Sequence, residues 1–279
     1  MGTLYVVGTP IGNMDDITFR QLKILEEVDF IAAEDTRVTL KLLNRYEIKK
    51  PLVSYHGHST ESCAAGITAR IQSGENAAIV TDAGMPCISD PGEVLVKMCA
   101  EHGIDVKVVP GPSAVVSALA VSGLNTSRFA FEGFLSVNKK QRCDHLEAVA
   151  GETRTLIFYE APHKLMNTLQ DFLKYFGDRK ISLCRELTKI HEEVLRMTVS
   201  EAIAYYQTRP PKGEYVLVVE GAPEKQLSDN FTLESAAELA QQYAGEGDRL
   251  SDACKKAAKE TGFPKSSIYS FIIRMEDKQ

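Results

Sequence analysis

Short apolar runs alternate with longer amphipathic stretches over the first 120 residues. Residues 3–7, 29–33, 52–55, 77–80 and 105–109 read as strands, and the run Ala77-Ala78-Ile79-Val80 has the unbroken apolar character of a strand buried on both faces. Helical periodicity is expected over 15–27, 38–46, 59–73, 93–102 and 115–121, with Ile17, Leu22 and Leu25 on the apolar side of the first. Strand followed by helix, repeated in this way, predicts a parallel sheet covered by helices. The texture changes after Gly123. Residues 128–135 alternate, and further strands are expected at 155–159, 180–185, 193–198 and 215–219, with helices at 138–150, 163–176 and 200–206, giving a mixed sheet. A polar linker, 223–230, leads to purely helical periodicity at 233–243, 250–261 and 266–275. The expected organisation is α/β with two domains, 1–123 and 124–226, followed by a small helix-turn-helix-like domain at 227–279.

Composition narrows the class without naming a function. The 279 residues carry a net charge of −6, so no global basic field advertises a nucleic-acid partner, and a polyanion would need a local basic patch. Six cysteines are scattered with no C-x-x-C pair, which argues against a zinc site or a disulfide framework and suits a reducing cytosol. Residues 3–7 enter a strand at once, so no signal peptide is expected. The longest weakly polar stretch, 113–124, is too short to span a bilayer.

Punctuation gathers where the parallel strands end. Strand 77–80 runs into Thr81-Asp82-Ala83-Gly84-Met85-Pro86-Cys87-Ile88-Ser89-Asp90-Pro91-Gly92, with two prolines, two glycines and two aspartates. In open α/β sheets ligands bind beyond the carboxyl ends of the strands, so a rigid acidic loop there is a binding-loop candidate. Strand 3–7 ends in Gly8-Thr9-Pro10-Ile11-Gly12, whose spacing is not the dinucleotide fingerprint, although Glu34 stands where a ribose-binding acid would. In Pro110-Gly111-Pro112-Ser113-Ala114 the prolines fix the backbone, Gly111 admits a close approach, and Ser113 can cap the next helix or serve a ligand. Polar clusters mark other strand ends: Asn13 with Asp15, Glu34-Asp35-Thr36-Arg37, His56 with His58, and Tyr159-Glu160-Ala161-Pro162-His163-Lys164. His56 and His58 lack a third ligand at a recognisable spacing, so no metal is expected. Neither a G-x-S-x-G elbow nor a phosphate-binding P-loop occurs. Lys139, Lys140 and Arg142 open one helix, and Lys255, Lys256, Lys259 and Lys265 gather in the tail, as solvated faces or as an RNA patch.

Taken together, Gly8–Thr18, Ala33–Arg37, Thr81–Pro86, Pro110–Ala114 and Phe158–His163 resemble the tetrapyrrole methylase superfamily and, within it, the bacterial small-subunit ribosomal RNA methyltransferase I enzymes. The resemblance runs the length of the chain. Met14, where leucine is the family's residue, is a volume-conserving departure. It implies a cytidine 2′-O-ribose methyltransferase acting on 16S RNA or the small ribosomal subunit near the decoding centre. It also implies S-adenosylmethionine folded between two α/β domains, a cytoplasmic location and a homodimer. Pro10, Asp82, Gly84, Met85, Ser113 and Ala114 would line the cofactor from the first domain, and Glu160, Leu187 and Tyr215 from the second. Asp35 and His56 are the candidate bases for the acceptor hydroxyl. Asn13, Arg37, Lys139, Lys140, Arg142, His163 and Lys164 are the candidate RNA contacts. Two other readings stay open: a small-molecule methylase of the same fold, which would methylate porphyrinoids, and a non-catalytic helix-turn-helix nucleic-acid binder.

Overall fold

The computed structural model describes residues 1–57, 61–223 and 231–276; Ser59, expected to open a helix, and His58 lie outside them. Two compact units emerge, Met1–Ala222 and Pro223–Gln279.

The first unit begins with five parallel strands: β1 (Thr3–Val7), β2 (Phe30–Ala33), β3 (Leu52–Ser54), β4 (Ala77–Val80) and β5 (Asp105–Val109). Their order in the sheet is β3-β2-β4-β1-β5, so β4, β1 and β5 are neighbours. That adjacency brings three loops remote in sequence, those starting at Gly8, Thr81 and Pro110, to one edge of the sheet. Helices α1 (Phe19–Glu27), α2 (Thr36–Arg45), α3 (Glu61–Gln72) and α4 (Glu93–Glu101) make the crossovers. Leu4, Phe30, Ile71, Ile79 and Leu95 fill one side of the sheet, and Val7, Leu25, Ile31, Leu43 and Val80 the other.

The starts of α1 and α2 differ from expectation because of side-chain caps. Asp15 and Asp16 fall in a single 3-10 turn, Met14–Asp16, capped by Asn13. The helix proper waits for Thr18, whose hydroxyl accepts the Gln21 N–H while Gln21 accepts the Thr18 N–H, a reciprocal capping box. Helix α2 starts two residues early, because the Asp35 carboxylate accepts the Arg37 N–H and acts as its N-cap.

Helix α5 (Ala114–Ser122) follows β5 and crosses to the second sheet. Its Val115, Ala118 and Leu119 are buried against Ile157, Cys184, Val216 and Val218. This sheet is mixed, as expected, in the order β6 (Phe129–Phe134), β7 (Thr155–Glu160), β10 (Tyr215–Val219), β8 (Lys180–Arg185) and β9 (Glu193–Thr198). Strands β6 and β7 are parallel; β10 runs antiparallel to β7 and β8. Tyr215 is therefore in register with both Glu160 and Arg185, which sets the ends of β7 and β8 beside the start of β10. Helices α6 (Lys139–Val149), α7 (Leu165–Phe176) and α8 (Val199–Gln207) complete the layer, around a core that includes Leu146, Phe158, Phe172 and Leu217.

The second unit holds α9 (Leu233–Gly245), α10 (Leu250–Thr261) and α11 (Lys265–Glu276). They enclose a core of their own, including Ala236, Ala240, Cys254, Ala257, Ile268 and Ile272. Gly262 ends α10 in the left-handed conformation, and Pro264 prevents its continuation. Among the described residues no helix is long and apolar enough to cross a membrane.

Candidate active site

A cavity of about 580 Å³ opens within the first unit, lined by loops of both sheets. That volume lies in the range of small-molecule and cofactor sites, roughly 300–1,000 Å³.

The loops that form it are tied together by backbone. Thr9 and Gly84 exchange N–H to carbonyl hydrogen bonds of 2.9 and 3.1 Å, joining the β1 and β4 loops. The Thr9 hydroxyl donates to the Thr81 carbonyl at 3.0 Å. Behind them the buried Gln21 amide donates to the Gly8 carbonyl at 2.6 Å. The group that approaches Gly111 closely is the chain itself, because Gly8 and Gly111 pass backbone to backbone. On the far side, the Asn13 N–H donates to the Thr188 hydroxyl at 3.0 Å, linking the β1 loop to the β8 loop. Among the described residues, four of the five non-glycine residues with positive φ lie in two of the loops around the cavity: Cys87 and Ser89 after β4, Glu186 and Thr188 after β8. Each holds a costly backbone conformation that the surrounding structure must enforce.

Seven expected cofactor residues line the cavity: Gly84, Met85, Ser113, Ala114, Glu160, Leu187 and Tyr215. His163, expected at RNA, joins them. Ser113 stands at the N-cap of α5 but makes no side-chain cap, and with Ala114 it lines the cavity, its hydroxyl without a partner among the described residues. Pro10 is buried at the end of β1 and is not a wall residue.

Asp82 departs from expectation. It turns from the cavity toward the end of β2, where it accepts the Asp35 N–H at 3.2 Å, and its own N–H reaches Glu34 at 3.3 Å. Burial, reinforced by neighbouring acids, raises the carboxyls of Glu34 and Asp82. Asp35 is corrected as a base. Hydrogen bonds from Arg37, at 2.6 and 3.0 Å, hold its carboxyl at about 2, and it is already committed to capping α2. A carboxylate so acidic is a weak proton acceptor. His56 lies exposed beyond β3, off the cavity wall.

The expected RNA contacts divide. Asn13, Lys139 and Lys140 are exposed, Lys164 is half-buried, and Arg37 keeps 87% of its side chain exposed. Lys139 and Lys140 occupy the first turn of α6, where positive charge opposes the helix dipole and stability does not favour it. Arg142 is a correction. Its side chain is only 15% exposed, its Nε meets Asp171 at 2.6 Å, and its Nη2 donates to the Thr168 hydroxyl at 2.8 Å. Thr168 in turn donates to the buried Glu160, which also accepts the Ala161 N–H at 2.8 Å. Arg142 thus anchors a cavity carboxylate from behind.

Several wall residues escaped sequence reasoning. Asp90 and Ile88 lie in the very loop that drew notice, and proximity to Met85 was the available signal. Phe134 and Tyr159 form an aromatic wall, with ring centroids 5.3 Å apart. Lys189 bridges Glu186 and Glu214 at 3.0 and 2.9 Å, an arrangement that depends on β10 returning beside β8. Four carboxylates, Asp90, Glu160, Glu186 and Glu214, thus face one lysine, and such a wall attracts a cation.

Comparison with known proteins converges on one family. Residues 3–203 match the Tetrapyrrole (Corrin/Porphyrin) Methylases. A Synechocystis protein named ribosomal RNA small subunit methyltransferase I is 45% identical over 99% of both chains. A Thermotoga maritima protein of the same name is 50% identical over 79% of this chain and 99% of its own. Among solved structures, a Thermus thermophilus uroporphyrin-III-C-methyltransferase superposes with TM-score 0.56 at 22% identity, over 79% of this chain and 94% of its own. A diphthine synthase superposes with TM-score 0.62 at 13% identity, over 79% of this chain and 90% of its own. At such identities the last two speak for the fold alone.

Proposed function

The chain belongs to the tetrapyrrole methylase family, among the ribosomal RNA small subunit methyltransferases I, and we propose that it methylates the ribose 2′-hydroxyl of a cytidine in 16S RNA near the decoding centre. The donor is S-adenosylmethionine, which supplies a methyl group already activated on a sulfonium. The observation that carries the reading is convergence. Residues from four of the five stretches behind the resemblance, Ile11, Gly84, Ser113 and Glu160 among them, meet at one cavity.

The residues present suit that donor. Glu160, Glu186 and Glu214 place negative charge where a sulfonium or ammonium would be held. The Ser113 hydroxyl and the opening N–H groups of α5 suit a carboxylate, as helix N-termini do. Met85, Ala114, Leu187, Tyr159 and Val216 give the apolar walls an adenine needs. Alignment of acceptor and donor accounts for most of the acceleration, with good positioning contributing ~7–11 kcal/mol. Lys139 and Lys140, exposed against the dipole of α6, are suited to RNA phosphates, with Arg37 and Lys164.

Small-subunit particles from cells lacking this chain, supplied with the protein and methyl-labelled donor, are expected to gain 2′-O-methylation at one cytidine of the 16S RNA. Label on a base, on a porphyrinoid or on no RNA would count against the reading.

The tail offers a second test. The Thermotoga relative spans 221 matched residues, so a segment the size of the second unit has no counterpart there. The two units also bury separate cores. A chain ending at Ala222 is therefore expected to keep its cofactor affinity, measured by calorimetry, and to hold RNA more weakly. If it methylates RNA as well as the full chain does, the tail is not a substrate contact.

A further inference from the structure

We propose that the exposed ring of Phe134 is a stacking platform for the base of the nucleotide being methylated, an assignment that rests on the ribose-methylation reading above. The ring lines the cavity, yet 59% of the residue is exposed. Tyr159 supports it from one side, with ring centroids 5.3 Å apart and planes inclined by 56°. Tyr159 meets the half-buried Phe131 in turn, edge to face at 4.9 Å. Phe134 is therefore the solvent end of an aromatic row. A single exposed aromatic is ordinary in a soluble protein, but the backbone beneath this one is not.

Strand β6 runs beside β7 with Phe131 opposite Ile157, then slips by one residue, so that Gly133 falls opposite Phe158 and Phe134 opposite Tyr159. Side chains alternate along a strand, and one extra residue therefore decides the face. Without it Phe134 would share the face of Phe158, which points into the core. With it, Phe134 shares the face of Tyr159 and the cavity. Gly133 makes the bend at a φ of 65°, a conformation that glycine adopts freely. Glu132 holds the bend from behind, its carboxylate 2.9 Å from the His145 ring of α6. Beside the bend, a Cβ on Gly133 would lie 3.5 Å from the Ser89 hydroxyl, so the loop after β4 brings the exposed Ile88 to the same mouth. The register slip leaves most of an apolar ring in water, where it contributes little to the core, and fits it to a ligand instead.

The chemistry of the acceptor selects that ligand. The 2′-oxygen and the base are carried on adjacent ribose carbons, so a hydroxyl that reaches into the cavity leaves its base at the mouth. A base brought there has left its stack in the RNA, and an aromatic face replaces what it has lost. The flanking phosphates call for cations close by. Lys139 and Lys140 open the helix that follows Phe134, and their exposed ammonium groups meet no carboxylate among the described residues. Every base has a π-face, so the platform positions the nucleotide and does not choose cytidine over the other bases.

The test compares full-length wild type with Phe134→Ala, Phe134→Leu and Phe134→Tyr, on small-subunit particles from cells lacking this chain and with labelled donor. Phe134→Ala and Phe134→Leu are expected to lose ~10–100-fold in kcat/KM for the particle, the equivalent of the ~1–3 kcal/mol that one stacked base contributes. Phe134→Tyr restores the π-face and should recover most of the loss. Calorimetric affinity for S-adenosylhomocysteine should change by less than about threefold in all three variants. Their Tm should move by about 2 °C or less, because the ring is mostly exposed. A Phe134→Leu variant as active as wild type would show an apolar contact in place of a stack. A fall of about tenfold or more in donor affinity, with the particle's KM unchanged, would make the ring a wall of the donor site. Either result overturns the assignment alone. Wild type that methylates no ribose overturns the underlying reading and the assignment with it.

Discussion

Gly8→Ala is expected to weaken donor binding by about 10–100-fold, the equivalent of the roughly 1–3 kcal/mol that overpacking costs. A Cβ at Gly8 would lie 2.8 Å from the Met85 sulfur and 2.9 Å from both Cα and N of Gly111. Two of those three atoms are backbone, fixed by Pro110 and Pro112, and cannot step aside cheaply. The third belongs to a wall residue, so relief comes by driving Met85 into the cavity. Calorimetric titration with S-adenosylhomocysteine measures the effect. Gly66→Ala is the control. Gly66 lies inside α3 with nothing within 4 Å of its would-be Cβ, and the substitution should stabilise by ~0.5–1 kcal/mol. Equal donor affinity in both variants would show that the close passage of Gly8 and Gly111 does not shape the site.

Local pattern made the framework legible. Strands β2, β4 and β10 are buried at every position and read as unbroken apolar runs, Phe30–Ala33, Ala77–Val80 and Tyr215–Val219. The loops beyond β1, β4 and β5 announce themselves by glycine and proline. The wall residues with the clearest sequence signal, Gly84, Met85, Ser113 and Glu160, lie in or directly before such loops. What stayed hidden depends on pairing between distant residues. Arg142 looks like one more exposed cation of a basic cluster, until α7 brings Asp171 and Thr168 against it from 29 and 26 residues away. Asp35 looks like a base at a strand end, until Arg37 closes on it and the helix start claims its oxygen. Lys189 carries no signal of its own, and only the return of β10 beside β8 sets Glu214 against it. Helix boundaries slipped for a related reason. Asn13 and Thr18, five residues apart, both cap: the first closes a single 3-10 turn and the second opens the helix, whose Gln21 amide reaches the Gly8 carbonyl.

The strongest expected effect on stability is at Phe158, where truncation to alanine should cost about 3–5 kcal/mol. The ring is fully buried, and its centroid lies 4.9 Å from that of Phe172 and 6.3 Å from that of Phe176. Its position opposite Leu217 is set by the β7–β10 register, so neither strand can slide to refill the space. For a unit of this size the loss corresponds to a fall in Tm of about 6–20 °C, read by calorimetry. Side chains alternate along β7, so Phe158 points into the core while Tyr159 points to the cavity. Below the new melting temperature, donor affinity should therefore change by less than about threefold, a difference under ~1 kcal/mol. A loss of binding as large as that of Gly8→Ala would mean that the β7 core and the cavity wall are mechanically coupled, and that the fold does not isolate its site from its core. A Tm drop of only a degree or two would mean that Phe172 and Phe176 close over the gap, so that the aromatic trio is not the keystone of the second sheet.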